Sequence, residues 1–227
     1  MQEFYIGVDL GGTKILTAIA DENGDIIARK KVPTEAVKGQ EVIIKNIETT
    51  INSVLEKSGV KKDKVKKIGI GSPGPLSTKK GIIYETANLP WENVPIVDIM
   101  EEKTGIPVKL ENDANAAALG EKWFGAGKNV NHMIYVTVST GIGGGVVINR
   151  EILQGVEGAG GEIGHMVIKP GGPTCGCGNS GCLEAMASGT AIAKRAREVY
   201  QEDKSTLISK MAGDKPEEID ALLVAEA

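Results

Sequence analysis

Residues 4–20 read FYIGVDLGGTKILTAIA. The apolar run Phe4–Leu10 is the pattern of a buried strand, Gly11 to Lys14 a tight turn, and the apolar residues after it a second strand. A second turn at Asp21 to Gly24 leads into a third strand, DIIARKKV, which Pro33 ends. Three consecutive strands with short turns make an antiparallel meander. Outward from it, apolar positions 43, 44, 47, 51, 54 and 55 have helical spacing, and Gly59 is a helix stop. KKIGIGS at 66–72 reads as a strand entering the loop SPGPL, and residues 81–95 are mixed, with Asn88 to Trp91 in a loop. A short helix follows over 96–104, closed by Gly105, then a strand PVKLEN and an alanine-rich helix from Asp113 to Phe124. Strand, strand, strand, helix, strand, helix, strand, helix predicts a mixed sheet covered by helices.

GAGKNVN at 125–131 breaks this pattern, which then restarts: HMIYVTVS is a strand, STGIGGG a glycine turn, VVIN a strand. Strand, glycine turn, strand thus occurs at 4–20 and again at 132–149, a weak internal repeat that divides the chain into two related α/β lobes, 1–122 and 123–227. Residues 183–200 read as a helix interrupted near Ser188-Gly189, and the charged tail beyond 202 as helix in pieces.

The chain has 227 residues, of which 41% are hydrophobic and 25% charged, the composition of a globular protein with a real core. A net charge of -4 supplies no basic field for nucleic acid. The N-terminus lacks a basic region and cleavage site, and no apolar run reaches the length of a membrane span, so a reducing cytoplasm is the expected setting.

All three cysteines and one of the two histidines fall within EGAGGEIGHMVIKPGGPTCGCGNSGC, residues 157–182. His165, Cys175, Cys177 and Cys182 supply three thiolates and an imidazole, the donor set of a closed tetrahedral zinc site. Glycines 171, 172, 176, 178 and 181 allow the chain to wrap four ligands around one ion. Scattered free thiols are the plainer alternative. A disulfide would leave an odd cysteine without a secretory context. Four protein ligands leave no open position, so such a zinc is structural. It would fix the preceding loop, which carries Glu162.

DLGGTK at 9–14 and STGIGGG at 139–145 are candidate phosphate cradles, because successive backbone N–H groups in a tight turn converge on anionic oxygen. Thr13 and Thr140 add hydroxyl donors, and Asp9 can hold Mg²⁺ through water. Hairpin turns that need glycine only for backbone angles are the alternative. In ENDANAAALGE, residues 111–121, Asp113 can take a proton from an attacking hydroxyl and Asn112 can orient the substrate, or one of the pair serves only as helix N-cap.

Together DLGGTK, ENDANAAALGE, STGIGGG, EGAGGEIGH and CGCGNSGCLE resemble, in order, the motifs of the ROK family of sugar kinases and sugar-responsive repressors, over about residues 4–200. Within it the chain is most similar to bacterial glucokinases. The resemblance implies an α/β, actin/hexokinase-like (ribonuclease H-like) two-lobed ATPase fold and Mg-ATP-dependent phosphorylation of a hexose, glucose above all. It implies Asp113 as general base; Asn88, Asn112, Glu162, His165 and Glu184 around the sugar; and His165, Cys175, Cys177 and Cys182 around Zn²⁺. Asp9, Gly11, Gly12, Thr13 and Lys14, with Thr140, Gly141, Gly143 and Gly144, would face the phosphates and Mg²⁺. Relatives often form homodimers. The family pattern continues beyond this C-terminus with a further glycine-rich stretch, so the second lobe is expected to be incomplete. A repressor needs a DNA-binding segment, for which a strand starting by residue 4 leaves no room. An interaction module assembling through the zinc loop is the other rival.

Overall fold

The computed structural model describes residues 2–84, 86, 89–155 and 158–227. Strands β1 (Phe4–Leu10), β2 (Lys14–Asp21) and β3 (Ile26–Pro33) form the expected meander, followed by helix α1 (Gln40–Ser58) and strand β4 (Val65–Ser72). Short strands β5 (Leu76–Ser77) and β6 (Ile82–Ile83) pair with each other, then come α2 (Ile96–Thr104), β7 (Val108–Asn112) and α3 (Asp113–Phe124). The five-stranded sheet has the order β3-β2-β1-β4-β7. Its meander half is antiparallel, whereas β4 runs parallel to both β1 and β7.

Alternation decides the buried face. Ile6, Val8 and Leu10 of β1, Ile15, Thr17 and Ile19 of β2, and Ile68 and Ile70 of β4 are all buried. Helix α1 covers them with Ile43, Ile47, Ile51 and Val54, and α2 adds Ile96 and Met100. Each such side chain contributes roughly 1.5–3 kcal/mol when fully removed from water. The two buried hydroxyls between β2 and α1, those of Thr17 and Thr50, satisfy each other at 2.7 Å.

Further along, β8 (Met133–Val138), β9 (Ile142–Ile148) and β10 (Glu151–Ile152) form a sheet of order β10-β9-β8. Helices α4 (Leu183–Ala187) and α5 (Gly189–Glu202) are the interrupted helix, with Ser188 capping α5. The tail forms α6 (Leu207–Ala212) and α7 (Ala221–Glu226). Ala196, Tyr200, Ala212 and Ile219 make a small core there. Arg197 closes it by donating to the carbonyls of Pro216 and Ile219 at 3.2 and 2.8 Å. Among the described residues no helix is long and apolar enough to cross a membrane. The chain divides into two compact units, one running to Met133 and including Val146–Gly160, the other Ile134–Gly145 with Gly161–Ala227.

The glycine turn of the second repeat is shorter than the expected STGIGGG: β9 begins at Ile142, so Gly143 and Gly144 lie in a strand. The glycine there serves close approach rather than turning. A Cβ on Gly144 would come within 2.5 Å of the Ile163 side chain and 2.8 Å of the Gly161 carbonyl. Only a bare backbone lets β9 pack against the loop that carries Glu162 and His165.

Candidate functional site

In the first unit the site is built at the carboxyl ends of parallel strands, the place where open α/β sheets present ligand-binding groups. Register puts Asp9 of β1 beside Gly71 of β4, and Gly71 beside Glu111 of β7. The start of α3 lies over the missing side chain of Gly71: a Cβ there would sit 3.7 Å from the Asp113 Cα. Asp113 therefore stands close enough to Asp9 to feel its charge. The side chain of Asp113 keeps access to solvent. Even so, desolvation by the protein around it, and then the charge of Asp9, push its carboxyl above the usual carboxylate range. Asn112 caps α3 by accepting the N–H groups of Ala114 and Asn115 at 2.9 and 3.1 Å. The capping role thus falls to Asn112. Asp113 Oδ1 accepts the adjacent Ala114 N–H, at 2.8 Å.

The first glycine turn is closed by Gly11 N–H donating to the Lys14 carbonyl at 3.0 Å. Gly11 does not adopt a left-handed backbone, so that position does not require glycine for its angle. Thr13 and Lys14 are exposed at its tip. The turn is braced from below by the buried Thr34, whose hydroxyl donates to Gly11 O at 2.5 Å and whose N–H donates to Thr13 O at 3.0 Å.

Sequence reasoning missed Thr34, and it missed Glu111. The Glu111 carboxylate accepts the N–H of Asn112 at 3.0 Å, the Asn115 amide at 3.1 Å and the Gln154 amide at 2.6 Å. Three donors on one carboxylate hold the β7–α3 junction, and hence the Asn112–Asp113 pair, in one orientation. The signal was present in ENDAN, where Glu111 and Asn115 stand four apart, but Gln154 is distant in sequence.

In the second unit, Glu162 precedes a single 3₁₀ turn, Ile163–His165. His165 Nε2 lies 3.9 Å from Glu162 Oε2, while Nδ1 faces the Cys175 sulfur at 3.6 Å. The ligand atoms of His165, Cys175, Cys177 and Cys182 all lie within 4.8 Å of one another. Cys177 and Cys182 Sγ are 3.7 Å apart. The 3.6 and 3.7 Å separations match the edges of a tetrahedron with metal–sulfur distances of about 2.3 Å and metal–nitrogen distances of about 2.0–2.1 Å, so the donor set fits a cation. Without one, burial and the neighbouring thiols push Cys182 up to about 12, whereas the Asn179 backbone N–H holds Cys177 below the usual thiol range. The loop is closed by Cys175 N–H donating to Asn179 O at 2.8 Å and by bridges pairing Thr174 with Ser180 and Val167 with Cys182. Gly181, at φ 79°, is a residue whose added Cβ would strike the Lys169 carbonyl.

Glu184, in the first turn of α4, accepts the Ile142 N–H through Oε2 at 2.9 Å. Thr140 and Gly141 form the turn just before Ile142. Asn88 lies outside the described residues.

These features place the chain in a class: an α/β protein with the actin/hexokinase-like fold of sugar kinases. A family comparison then matches the ROK family over residues 5–223, and the chain belongs to that family. It is 46% identical to a glucokinase from Thermotoga maritima over 217 residues, covering 95% of this chain and 67% of that protein. It is 38% identical to a putative xylose repressor from a Caldicellulosiruptor species, covering 82% of this chain and 47% of the repressor. A solved ROK family glucokinase from Streptomyces griseus, in complex with glucose and AMPPNP, superposes with a TM-score of 0.81 at 36% identity, covering 99% of this chain and 70% of that one. The chain thus spans about two thirds or less of the length of these curated relatives.

Proposed function

We propose that this chain carries the catalytic and sugar-binding groups of an ATP-dependent hexose kinase, with glucose as the acceptor. The observation that carries the reading is Asp113: a partly desolvated carboxylate, pushed above its ordinary range, and not serving as the helix cap. A base in that state is suited to take the proton of a sugar hydroxyl as the hydroxyl oxygen attacks the terminal phosphorus of ATP. Asp9 would hold the hydrated Mg²⁺. The N–H groups of Gly11, Gly12 and Thr13, with Lys14, and those of Thr140, Gly141, Gly143 and Gly144, would stabilise charge on the phosphates.

Asn88, Asn112, Glu162, His165 and Glu184 would hold the sugar. Carboxylates that accept bonds from hydroxyls discriminate against analogues that lack them. His165, Cys175, Cys177 and Cys182 would bind zinc. Such an ion would be structural and supply no catalytic chemistry; with Nδ1 facing the cluster, His165 would be held in one tautomer with Nε2 beside Glu162. A cytoplasmic homodimer completes the proposal.

A coupled ADP-release assay over a panel of hexoses and N-acetylated hexosamines tests it. Phosphorylation of glucose in preference to the others is expected; no sugar-dependent ADP release from any of them sinks the kinase reading. The second reading, a sugar-responsive regulator, is favoured by the similarity to the xylose repressor. It predicts sugar binding in a calorimeter that an ATP analogue leaves unchanged.

A further inference from the structure

Glu184 occupies an unusual junction. Its Oε2 receives the Ile142 N–H at 2.9 Å, and its Oε1 lies 3.8 Å from the Cys175 sulfur. The approach to Ile142 depends on Gly141, because a Cβ at that position would collide with Glu184 Oε2. Glu184 is also two residues from Cys182, which directly precedes α4. The same short stretch grips the turn at three more points. Gly189 N–H donates to Ser139 O at 2.8 Å, and Thr190 donates to Thr140 O through its hydroxyl at 2.8 Å and its N–H at 3.4 Å. The 139–142 turn is thus held from 184–190, one short helix beyond a cysteine of the cluster.

We propose that Glu184 is a positioning residue that ties the Ser139–Ile142 turn to the Cys/His cluster, so that metal occupancy sets how rigidly the turn is held. The ion fixes Cys182, Cys182 fixes the start of α4, and the first turn of α4 aims the Glu184 carboxylate at the Ile142 N–H. A charge-assisted hydrogen bond in a partly buried place is strong enough for its loss to be felt as local opening. That the turn then meets nucleotide phosphates rests on the kinase reading; the mechanical coupling does not.

Residue-resolved amide hydrogen exchange on the full chain, without sugar or nucleotide, reads the coupling directly. Glu184→Ala is expected to speed exchange at Ile142 by on the order of tenfold or more, the worth of a hydrogen bond to a charged group. Exchange in α1 should stay unchanged. Glu184→Gln retains an oxygen acceptor and should restore most of the protection. Stripping metal from the wild type with a chelator should raise exchange at Ile142 as Glu184→Ala does, and adding zinc back should reverse it. Unchanged exchange at Ile142 in Glu184→Ala, or chelation that loosens 165–182 and leaves Ile142 protected, overturns the proposal.

Should the alanine variant unfold, α1 protection is lost too, and the glutamine and chelation arms then decide. Titration with an ATP analogue separates the two layers. On the kinase reading, Glu184→Ala weakens analogue binding and Glu184→Gln recovers it. If the wild type binds no analogue but the exchange pattern holds, the coupling stands and the kinase reading falls.

Discussion

The side-chain oxygen of Asn112 accepts the backbone N–H groups of Ala114 and Asn115 at 2.9 and 3.1 Å and so caps α3, while the neighbouring Asp113 shares the Ala114 N–H. Two neighbouring polar residues at a helix start usually compete for that duty. Here Asn112 alone takes the Asn115 N–H while the Ala114 N–H is divided between the two, which leaves a partly desolvated carboxylate next to Asp9. A helix N-terminus ordinarily favours a negative charge, but desolvation outweighs that at Asp113.

Replacing Asp113 by Asn separates the catalytic from the energetic consequence of that division. Turnover should fall by about 10²–10⁴-fold, the range for loss of a general base, with sugar affinity retained. Stability should move the other way. Because desolvation and Asp9 raise the Asp113 pKa, the folded chain holds a proton that the unfolded chain releases between the ordinary carboxylate value and the raised one. Wild-type stability therefore falls as pH rises through that window, and the penalty persists above it. The Asp113→Asn substitution removes the titration. Urea midpoints measured from pH 3 to 8 should nearly coincide at the acid end and separate towards neutrality, with the variant the more stable of the two. Parallel curves would show that the carboxylate is not strained by its surroundings.

Glu111 should matter through Asn112 and Asp113 rather than by touching substrate. Glu111→Ala strips an acceptor from three donors, the Asn112 N–H and the amides of Asn115 and Gln154. Leaving such groups unpaired costs about 1–3 kcal/mol each when they are buried. Turnover should drop with little change in the nucleotide KM, and Gln154→Ala, which removes only one of the three partners, should show a smaller drop. Equal effects of the two substitutions would contradict the ordering by number of bonds.

What could be read in advance followed from short-range pattern. Ile6, Val8 and Leu10 alternate, α1 repeats its apolar face, and Gly59 and Gly105 stop helices within a few residues of where the pattern ends. The four candidate metal ligands were legible because the cysteines cluster in sequence as they do in space. The long glycine run after β8 misled because its reason is tertiary: Gly144 is small on account of Ile163 and Gly161, not on account of its own backbone angles. Thr34 and Gln154 were not legible for the same cause, since each acts on a partner far along the chain, and Glu111 was legible only through its local partners Asn112 and Asn115.

Metal analysis should find one zinc per chain, bound by His165, Cys175, Cys177 and Cys182. Three thiolates converging on one point repel each other without a cation, and the elevated value of Cys182 reflects its burial together with that cost. Chelation should lower the thermal midpoint and weaken glucose binding together, since His165 joins the cluster to Glu162. Substituting Cys177, the exposed member, by Ser should reproduce the effect of chelation. Protein purified without chelator that contains no zinc, or that keeps its sugar affinity after the metal is removed, would count against the assignment.

Lys122 offers a test of stability with no bearing on chemistry. Its side chain is 1% exposed, and its ammonium donates to the carbonyls of Gly127 and Lys128 at 3.1 and 3.2 Å, closing the loop that follows α3. A buried lysine is tolerable because these oxygens, together with the Trp123 ring whose centroid lies 5.3 Å from Nζ, replace water around the charge. Lys122→Met keeps the length and apolar stem but takes this donor from the Lys128 carbonyl and leaves the Gly127 carbonyl with the Val130 N–H at 3.3 Å, at a cost of about 1–3 kcal/mol. The loss should appear as a lower urea midpoint and faster amide exchange over 125–131. The methionine stem cannot answer an oxygen, so an unchanged midpoint would mean that water reaches Gly127 and Lys128 and that the ammonium is dispensable there.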